Sequence, residues 1–336
     1  MDGVMIKKDL TRLGILKVLS ESSVPIGAAR IRASLLSAGL DIQPRTIRVH
    51  LLHLDRAGLT WLASRRTGRL ISEKGRQELA HANVVEKVGV IASRVDTLAY
   101  RMSLNPPERS GTVVINVSLI QPEHLTRALN EMKLVFRHQL AVSPNILIAN
   151  PGECIAGMLV PENHIAIGTV CSVTLSGALL HRSISAKARF SGLLEVRNRL
   201  PIRFVDLINY EGTTLDPLEI FIQANMTRVR DVILTGNGIL CAAFREIPAV
   251  ALGDALELEK KLRAMGLVGI MSFGQPNQPL IGVPVPEGYA GLIVYGGLNP
   301  IAALREGGLP VIIKSMAGLV PYSSLKTIED YQRKSR

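Results

Sequence analysis

The sequence predicts an α/β (α+β) chain: an N-terminal winged helix-turn-helix, a linker helix, and an internally duplicated α/β body. Three observations predict it. Residues 6–81 read as three short helices followed by two strands around a basic, glycine-containing tip. Residues 84–102 carry apolar side chains at alternating spacings of four and three. Beyond them, apolar strand-like runs alternate with helical stretches, and short phrases recur within 112–325.

In the head, the first helix spans roughly 7–21 with Leu10, Leu13, Leu16 and Leu19 as its apolar stripe. The second spans roughly 26–38, with Ile26, Ile31, Leu35 and Leu36, and stops at Gly39, a residue suited to a left-handed cap. Pro44 opens the third, because a missing N–H costs nothing at a first helical position. Ile47, Leu51 and Leu54 form its buried stripe, which turns Arg45, Thr46, Arg48 and Val49 outward; Gly58 ends it. Two strands then flank Arg66-Thr67-Gly68, and Ser72-Glu73-Lys74-Gly75 opens the next helix. His50 and His53 lack a second ligand pair and read as helix-surface histidines.

Charge follows this division. Of a net +11, residues 1–110 hold 18 Lys+Arg against 10 Asp+Glu, and residues 44–76 alone hold 8 against 2. A basic end on a nearly neutral body suits a polyanion partner. Cys154, Cys171 and Cys241 are too few and too scattered for a disulfide framework or structural zinc. No apolar signal core and no membrane-length apolar run occurs, so a cytoplasmic, soluble protein without membrane attachment is expected; separately, no cofactor is expected. At 4% aromatics, base-stacking modules are disfavoured.

Val84, Val88, Ile91, Val95, Leu98 and Met102 make the a/d alternation of a short coiled coil. It serves either as a dimer seam or as a helix laid along its own body. Asn105-Pro106-Pro107 breaks it. The expected domains are therefore 1–81 (head), 82–110 (linker helix), 111–325 (body) and a basic tail, 326–336.

The body reads as a tandem repeat. Phe190-Ser191-Gly192-Leu193-Leu194 matches Tyr289-Ala290-Gly291-Leu292-Ile293 and Pro201-Ile202 matches Pro300-Ile301, both at an offset of 99. Strand 114–119 precedes a helix at 123–137, as strand 239–244 precedes one at 249–265; strands at 165–168 and 267–270 follow. Each half is expected to run strand, helix, strand, helix, strand, helix, with a ligand cleft between halves.

Two sets of residues could carry chemistry. Arg45 and Arg48 suit guanine edges, Thr46 a thymine methyl or phosphate, and Arg65, Arg66 and Arg69 at the wing suit phosphates or the minor groove. In the body, Gly168-Thr169-Val170-Cys171-Ser172-Val173-Thr174 runs from strand into helix, with Ser172 as N-cap and free N–H groups for an anion. Gly269–Gln275 is the expected counterpart, so two helix ends would hold the two carboxylates of a diacid. Arg203 and Arg245 are the cations assigned to it. Asn209–Pro217 and Gly236-Asn237-Gly238 either line the cleft or turn the chain; the latter lacks the third glycine of a dinucleotide loop. Cys171, His181 and Asp206 supply the residue types of a thiol triad, but no geometry, so an enzyme is the weaker alternative.

The winged head, Val88-Gly89-Val90-Ile91, Gly111–Ile120, Gly168–Thr174 and Asn209–Pro217 together resemble the NrpR family of archaeal nitrogen-regulatory repressors, over roughly 7–325. The resemblance implies a repressor of nitrogen-assimilation and nitrogen-fixation operons, released by 2-oxoglutarate in a regulatory domain; a homodimer whose paired heads read a palindromic operator is the expected form. It implies an effector set around Thr169, Cys171, Ser172 and Thr174. Some family members carry two regulatory domains; here there is one, leaving a place for a separate regulatory-domain partner protein. A regulator sensing a different metabolite is the nearest rival reading.

Overall fold

A computed structural model of the chain describes residues 2–37, 40–64, 66–82 and 89–334, which divide between positions 87 and 88 into two compact units. The first comprises α1 (Asp2–Ser20), α2 (Ala28–Ser37), α3 (Pro44–Arg56), β1 (Thr60–Ser64), β2 (Gly68–Ile71) and α4 (Glu73–Ala82). Ile15, Leu16 and Leu19 of α1 meet Ile31 and Leu35 of α2 and Ile47, Leu51 and Leu54 of α3. The stripe on α1 thus follows helical periodicity, and Leu13, expected within it, is only half-buried. Pro44 takes the first turn of α3 behind an extended Gln43, as its ring demands. His50, expected on the surface, is buried, whereas His53 is exposed. Gly39 lies outside the described residues.

The wing is locked to the head by its backbone. Ile26 N–H donates to Arg69 O and Arg69 N–H to Ile26 O, each at 3.0 Å. Gly68 stands beside this bridge at φ 110°, where a side chain would collide with the Ile26 carbonyl. Only glycine satisfies both conditions.

The second unit begins with α5 (Val90–Arg101), β3 (Thr112–Ile120), α6 (Leu125–Arg137), β4 (Ile146–Ala149), β5 (Cys154–Ile155), β6 (Met158–Leu159), β7 (Ile165–Val170), α7 (Val173–Leu180) and β8 (Lys187–Arg197). An insertion follows: β9 (Leu200–Asn209), α8 (Pro217–Gln223) and α9 (Val229–Thr235). Then come β10 (Gly238–Pro248), α10 (Leu252–Ala264), β11 (Ile270–Phe273), β12 (Tyr289–Tyr295), α11 (Asn299–Glu306), β13 (Ile312–Pro321) and α12 (Ile328–Lys334).

The duplication is real, but its order and register differ from expectation. Each repeat runs strand, helix, strand, strand, helix, strand: β3-α6-β4-β7-α7-β8, then β10-α10-β11-β12-α11-β13. The strands form two antiparallel sheets, β13-β3-β7-β4 and β11-β12-β10-β8-β9. Each repeat therefore lends its last strand to the other's sheet: β8 pairs with β10, and β13 with β3. Cys171 N–H donates to Val114 O and Gly296 N–H to Cys241 O, both at 2.8 Å, so equivalent loops lie 125 residues apart. The offset of 99 is corrected: it aligned β8 with β12, which flank β10 on opposite sides. Both are buried strands meeting the same partner, which is why their apolar spellings agree.

One hydrophobic cluster joins α6, α8, α9 and α11 to the sheets, and a second joins α7 and α10 to their other faces. Phe190, Phe204 and Phe244 sit in the first, Phe190 stacked on Phe244 at 5.4 Å between centroids. Two further segments take their places. Ile91, Val95 and Leu98 of α5 are buried with Val114, Cys171, Val173, Tyr210 and Met316, so of the two roles open to this stripe the structure shows the helix laid along its own body; Val84 and Val88 lie outside the described residues. The expected basic tail forms α12, whose Ile328 is buried in the core and whose Tyr331 hydroxyl accepts from Ile148 N–H at 3.0 Å.

Candidate functional site

Two sites emerge, one in each unit. On α3, Ile47, His50, Leu51 and Leu54 face inward, and helical geometry leaves Arg45, Thr46, Arg48 and Val49 exposed on the other face. Arg45 and Arg48 have no polar partner among the described residues, and neither has Arg66 at the exposed wing tip. Free, solvated guanidinium groups on a helix flanked by a hairpin suit phosphates and groove edges. Arg65 lies outside the described residues. Arg69 is corrected: its Nε donates to Asp55 Oδ2 at 2.7 Å, and Asp55 also accepts from Thr60 Oγ1 at 2.6 Å. That cation ties the wing to the end of α3.

The body site is built around Arg245 of β10. Its side chain is 1% exposed, and its charged fork meets only neutral oxygens. Nη2 donates to the Ser172 carbonyl and Oγ, both at 3.2 Å, Nη1 donates to Ser176 Oγ, and Nε has no partner. Burial pulls the guanidinium downward from its ordinary pKa, yet arginine stays charged. Around it, burial pushes the Cys171 thiol and the Tyr210 phenol each up to about 12, and Tyr210 shares a hydrogen bond with Ser191. Burial also raises Asp216, the N-cap of α8, to about 6, although it accepts from Leu218 and Glu219 N–H groups rather than from Arg245. A buried cation with no hydrogen-bonded carboxylate costs several kcal/mol on general grounds, a cost that an anionic ligand would offset.

The other assigned residues separate. Ser172 stands at the N-cap position of α7 but makes no capping bond; its hydroxyl serves Arg245 instead. The first-turn N–H groups of Thr174 and Leu175 are taken by Cys171 and Ser172 carbonyls, so the expected open helix end is corrected. Thr174 Oγ1 accepts from Val114 N–H at 3.0 Å and donates to Val114 O at 3.1 Å. Asn299 repeats this bond pair on Cys241 in the second repeat, at 2.9 and 3.0 Å. Thr169 Oγ1 is equally committed, donating to Gly297 O at 3.0 Å. Arg203 lies exposed on β9, paired with Glu195 at 2.8 Å, remote along the sheet from Arg245. The counterpart of Gly168–Thr174 is the loop through Gly296 and Gly297, not Gly269–Gln275, and it carries no arginine.

Ser176 and Tyr210 complete the site unforeseen. Ser176 lies four residues beyond Ser172, so one helix turn aligns their hydroxyls, a spacing visible in the sequence. The thiol triad does not assemble: the eight residues of α7 separate Cys171 from His181, which binds the Met102 carbonyl, and Asp206 is exposed. Among the described residues no cluster of three or more His, Cys, Asp or Glu could hold a metal ion, and no helix is long and apolar enough to cross a membrane.

Comparison with known proteins places both units. Residues 88–327 match the family described as NrpR regulatory domains NRD1 and 2, and residues 13–79 match a ribonuclease R winged-helix domain. The chain is 33% identical to a global nitrogen regulator NrpRI of Methanosarcina mazei, over 94% of this chain and 96% of that one. It is 32% identical to a global nitrogen regulator NrpR of Methanocaldococcus jannaschii over 98% of this chain, but spans only 57% of that protein. A third relative, from Methanococcus maripaludis, is 30% identical over 93% of this chain and 54% of its own length. A crystal structure of a nitrogen repressor-like protein from Methanococcus jannaschii superposes with a TM-score of 0.61 at 28% identity, covering 70% of this chain and 97% of that one. A winged head joined to a match over the whole regulatory body, together with these relatives, makes this chain a member of the NrpR family of global nitrogen regulators.

Proposed function

We propose that this chain is a cytoplasmic, non-enzymatic, homodimeric repressor of nitrogen-assimilation and nitrogen-fixation genes, released from operator DNA when 2-oxoglutarate binds the body. The observation that carries the DNA half is the free face of α3, where Arg45, Thr46 and Arg48 stand exposed behind a filled core. A twofold pair of such heads would read half-sites about one helical turn apart, roughly 34–36 Å. The effector half is supported by Arg245, whose carboxylate-free burial suits one end of a dicarboxylate. Because Arg245 is closed to solvent, a ligand reaches it only in a body conformation other than this one. Binding and conformational change are then the same event.

Helix α5 gives that event a route. It packs over Cys171, Val173 and Tyr210, beside the Arg245 site, and follows the head in the chain. Loosening the site shifts α5 and disfavours the head arrangement that spans both half-sites. The DNA half is tested by Arg48→Ala in an anisotropy titration on a promoter fragment and on random duplex. Loss of about 1–3 kcal/mol on the promoter alone supports base reading; an equal loss on both makes Arg48 a phosphate contact. No loss on either would remove α3 from the interface.

A further inference from the structure

A cavity of about 300 Å³ opens on the second unit, away from Arg245. Its floor is aliphatic: Leu140, Val196, Val232 and Leu240 are buried, with Met271 beside them. Its rim carries Arg199 and His138, joined by a 3.1 Å bond from Arg199 Nη1 to His138 Nδ1. Its inner wall holds Ser272, whose Oγ is buried without a hydrogen-bond partner.

Arg199 is held there against its backbone preference. It occupies, with Asn198, the two-residue turn between β8 and β9, both in the left-handed region at φ 50° and 63°. Such turns favour glycine at the second position, since a Cβ strains there. The neighbouring loop fixes the arginine regardless. Arg199 N–H donates to Gly236 O at 2.8 Å, and Asn198 N–H to Asn237 Oδ1 at 3.0 Å. Gly236 also leaves room for the arginine stem, whose Cγ would lie 3.3 Å from an added methyl. A strained backbone kept by its surroundings, carrying a cation over a cavity with an orphaned hydroxyl, marks a site built for a ligand.

We infer that this cavity binds a small aliphatic monocarboxylate bearing a 2-oxo or 2-hydroxy group, its carboxylate on Arg199, its chain on the floor, and its second oxygen accepting from Ser272 Oγ. A monocarboxylate fits better than a dicarboxylate, because the cations stand together at the rim and the floor below them is aliphatic. The site is therefore distinct from the proposed 2-oxoglutarate site and stands or falls separately.

The test is calorimetry of the full chain with 4-methyl-2-oxopentanoate, with hexanoate and 2-oxoglutarate as comparison probes. Wild type binds the first probe. Arg199→Gly weakens that binding by about tenfold or more, while its unfolding temperature stays at or above wild type and its response to 2-oxoglutarate is unchanged. Ser272→Ala weakens the 2-oxo acid but leaves hexanoate unaltered. No heat with 4-methyl-2-oxopentanoate up to about millimolar levels, equal affinity in Arg199→Gly, or equal weakening of both acids by Ser272→Ala would each overturn the assignment.

Discussion

The head and the body use arginine in opposite ways. Arg45, Arg48 and Arg66 are exposed with no polar partner among the described residues, whereas Arg245 is sealed among serine oxygens with one nitrogen unmatched. A solvated cation costs the fold little and waits for a large polyanion, whose phosphates attract it from a distance. A buried cation is a standing cost that only a specific anion removes. The first kind tunes affinity with salt; the second couples ligand binding to conformation. On the proposed function, one chain would then hold a reader and a sensor made from the same side chain.

The contrast can be broken most severely at Arg245. In Arg245→Met, 2-oxoglutarate affinity measured by calorimetry is expected to fall about 100-fold or more, with loss of the charge-assisted bonds. The unfolding temperature should hold or rise, because an apolar replacement removes a desolvated charge. Unfolding of this variant would instead make Arg245 a structural group. Thr174→Val is the next largest effect, and of the opposite kind. It orphans the buried Val114 N–H, so denaturant unfolding should show a loss of about 2 kcal/mol, with the 2-oxoglutarate response intact. Thr174→Ser, which keeps the hydroxyl, should recover most of it.

Asp216 gives a smaller, pH-dependent signature. Its folded pKa of about 6 stands above the usual 3.8, so the native state holds a proton that the unfolded chain releases between these values. Stability contributed by the protonated carboxyl is present at the acid end and is lost as pH rises through about 4 to 6. Asp216→Asn keeps a capping residue and removes the titration, so its unfolding temperature should vary less across that window. An identical slope in both proteins would remove Asp216 as its source. At the surface, Arg203→Ala should leave both the unfolding temperature and effector binding unchanged, as an exposed pair with Glu195 implies.

What the sequence made legible follows the same line. The head was readable because helical periodicity alone decides which residues of α3 face outward, and Pro44 and Gly68 mark its turns. Arg69 was misjudged because only tertiary structure brings Asp55 beneath it. In the body, hydrophobic spelling revealed repetition but not partnership: buried strands β8 and β12 share apolar residues because both flank β10, and strand exchange between repeats leaves no periodic trace. The sequence names Ser172 and Arg245 as residue types without bringing them together, and nothing in it shows that the hydroxyls of Thr169 and Thr174 bond distant backbone groups. A hydroxyl's destination depends on which distant strand it meets, here one sixty residues away for Thr174.

On the proposed function, an anion taken up in the body weakens the hold of the head on DNA. A gel-shift titration on a promoter fragment at one fixed salt concentration, with and without 2-oxoglutarate, measures this in a single quantity. Wild type should lose operator affinity by roughly 5–150-fold on adding the diacid, and Arg245→Met should lose none. Equal affinity for wild type in both conditions, or equal release of the variant, would contradict the account.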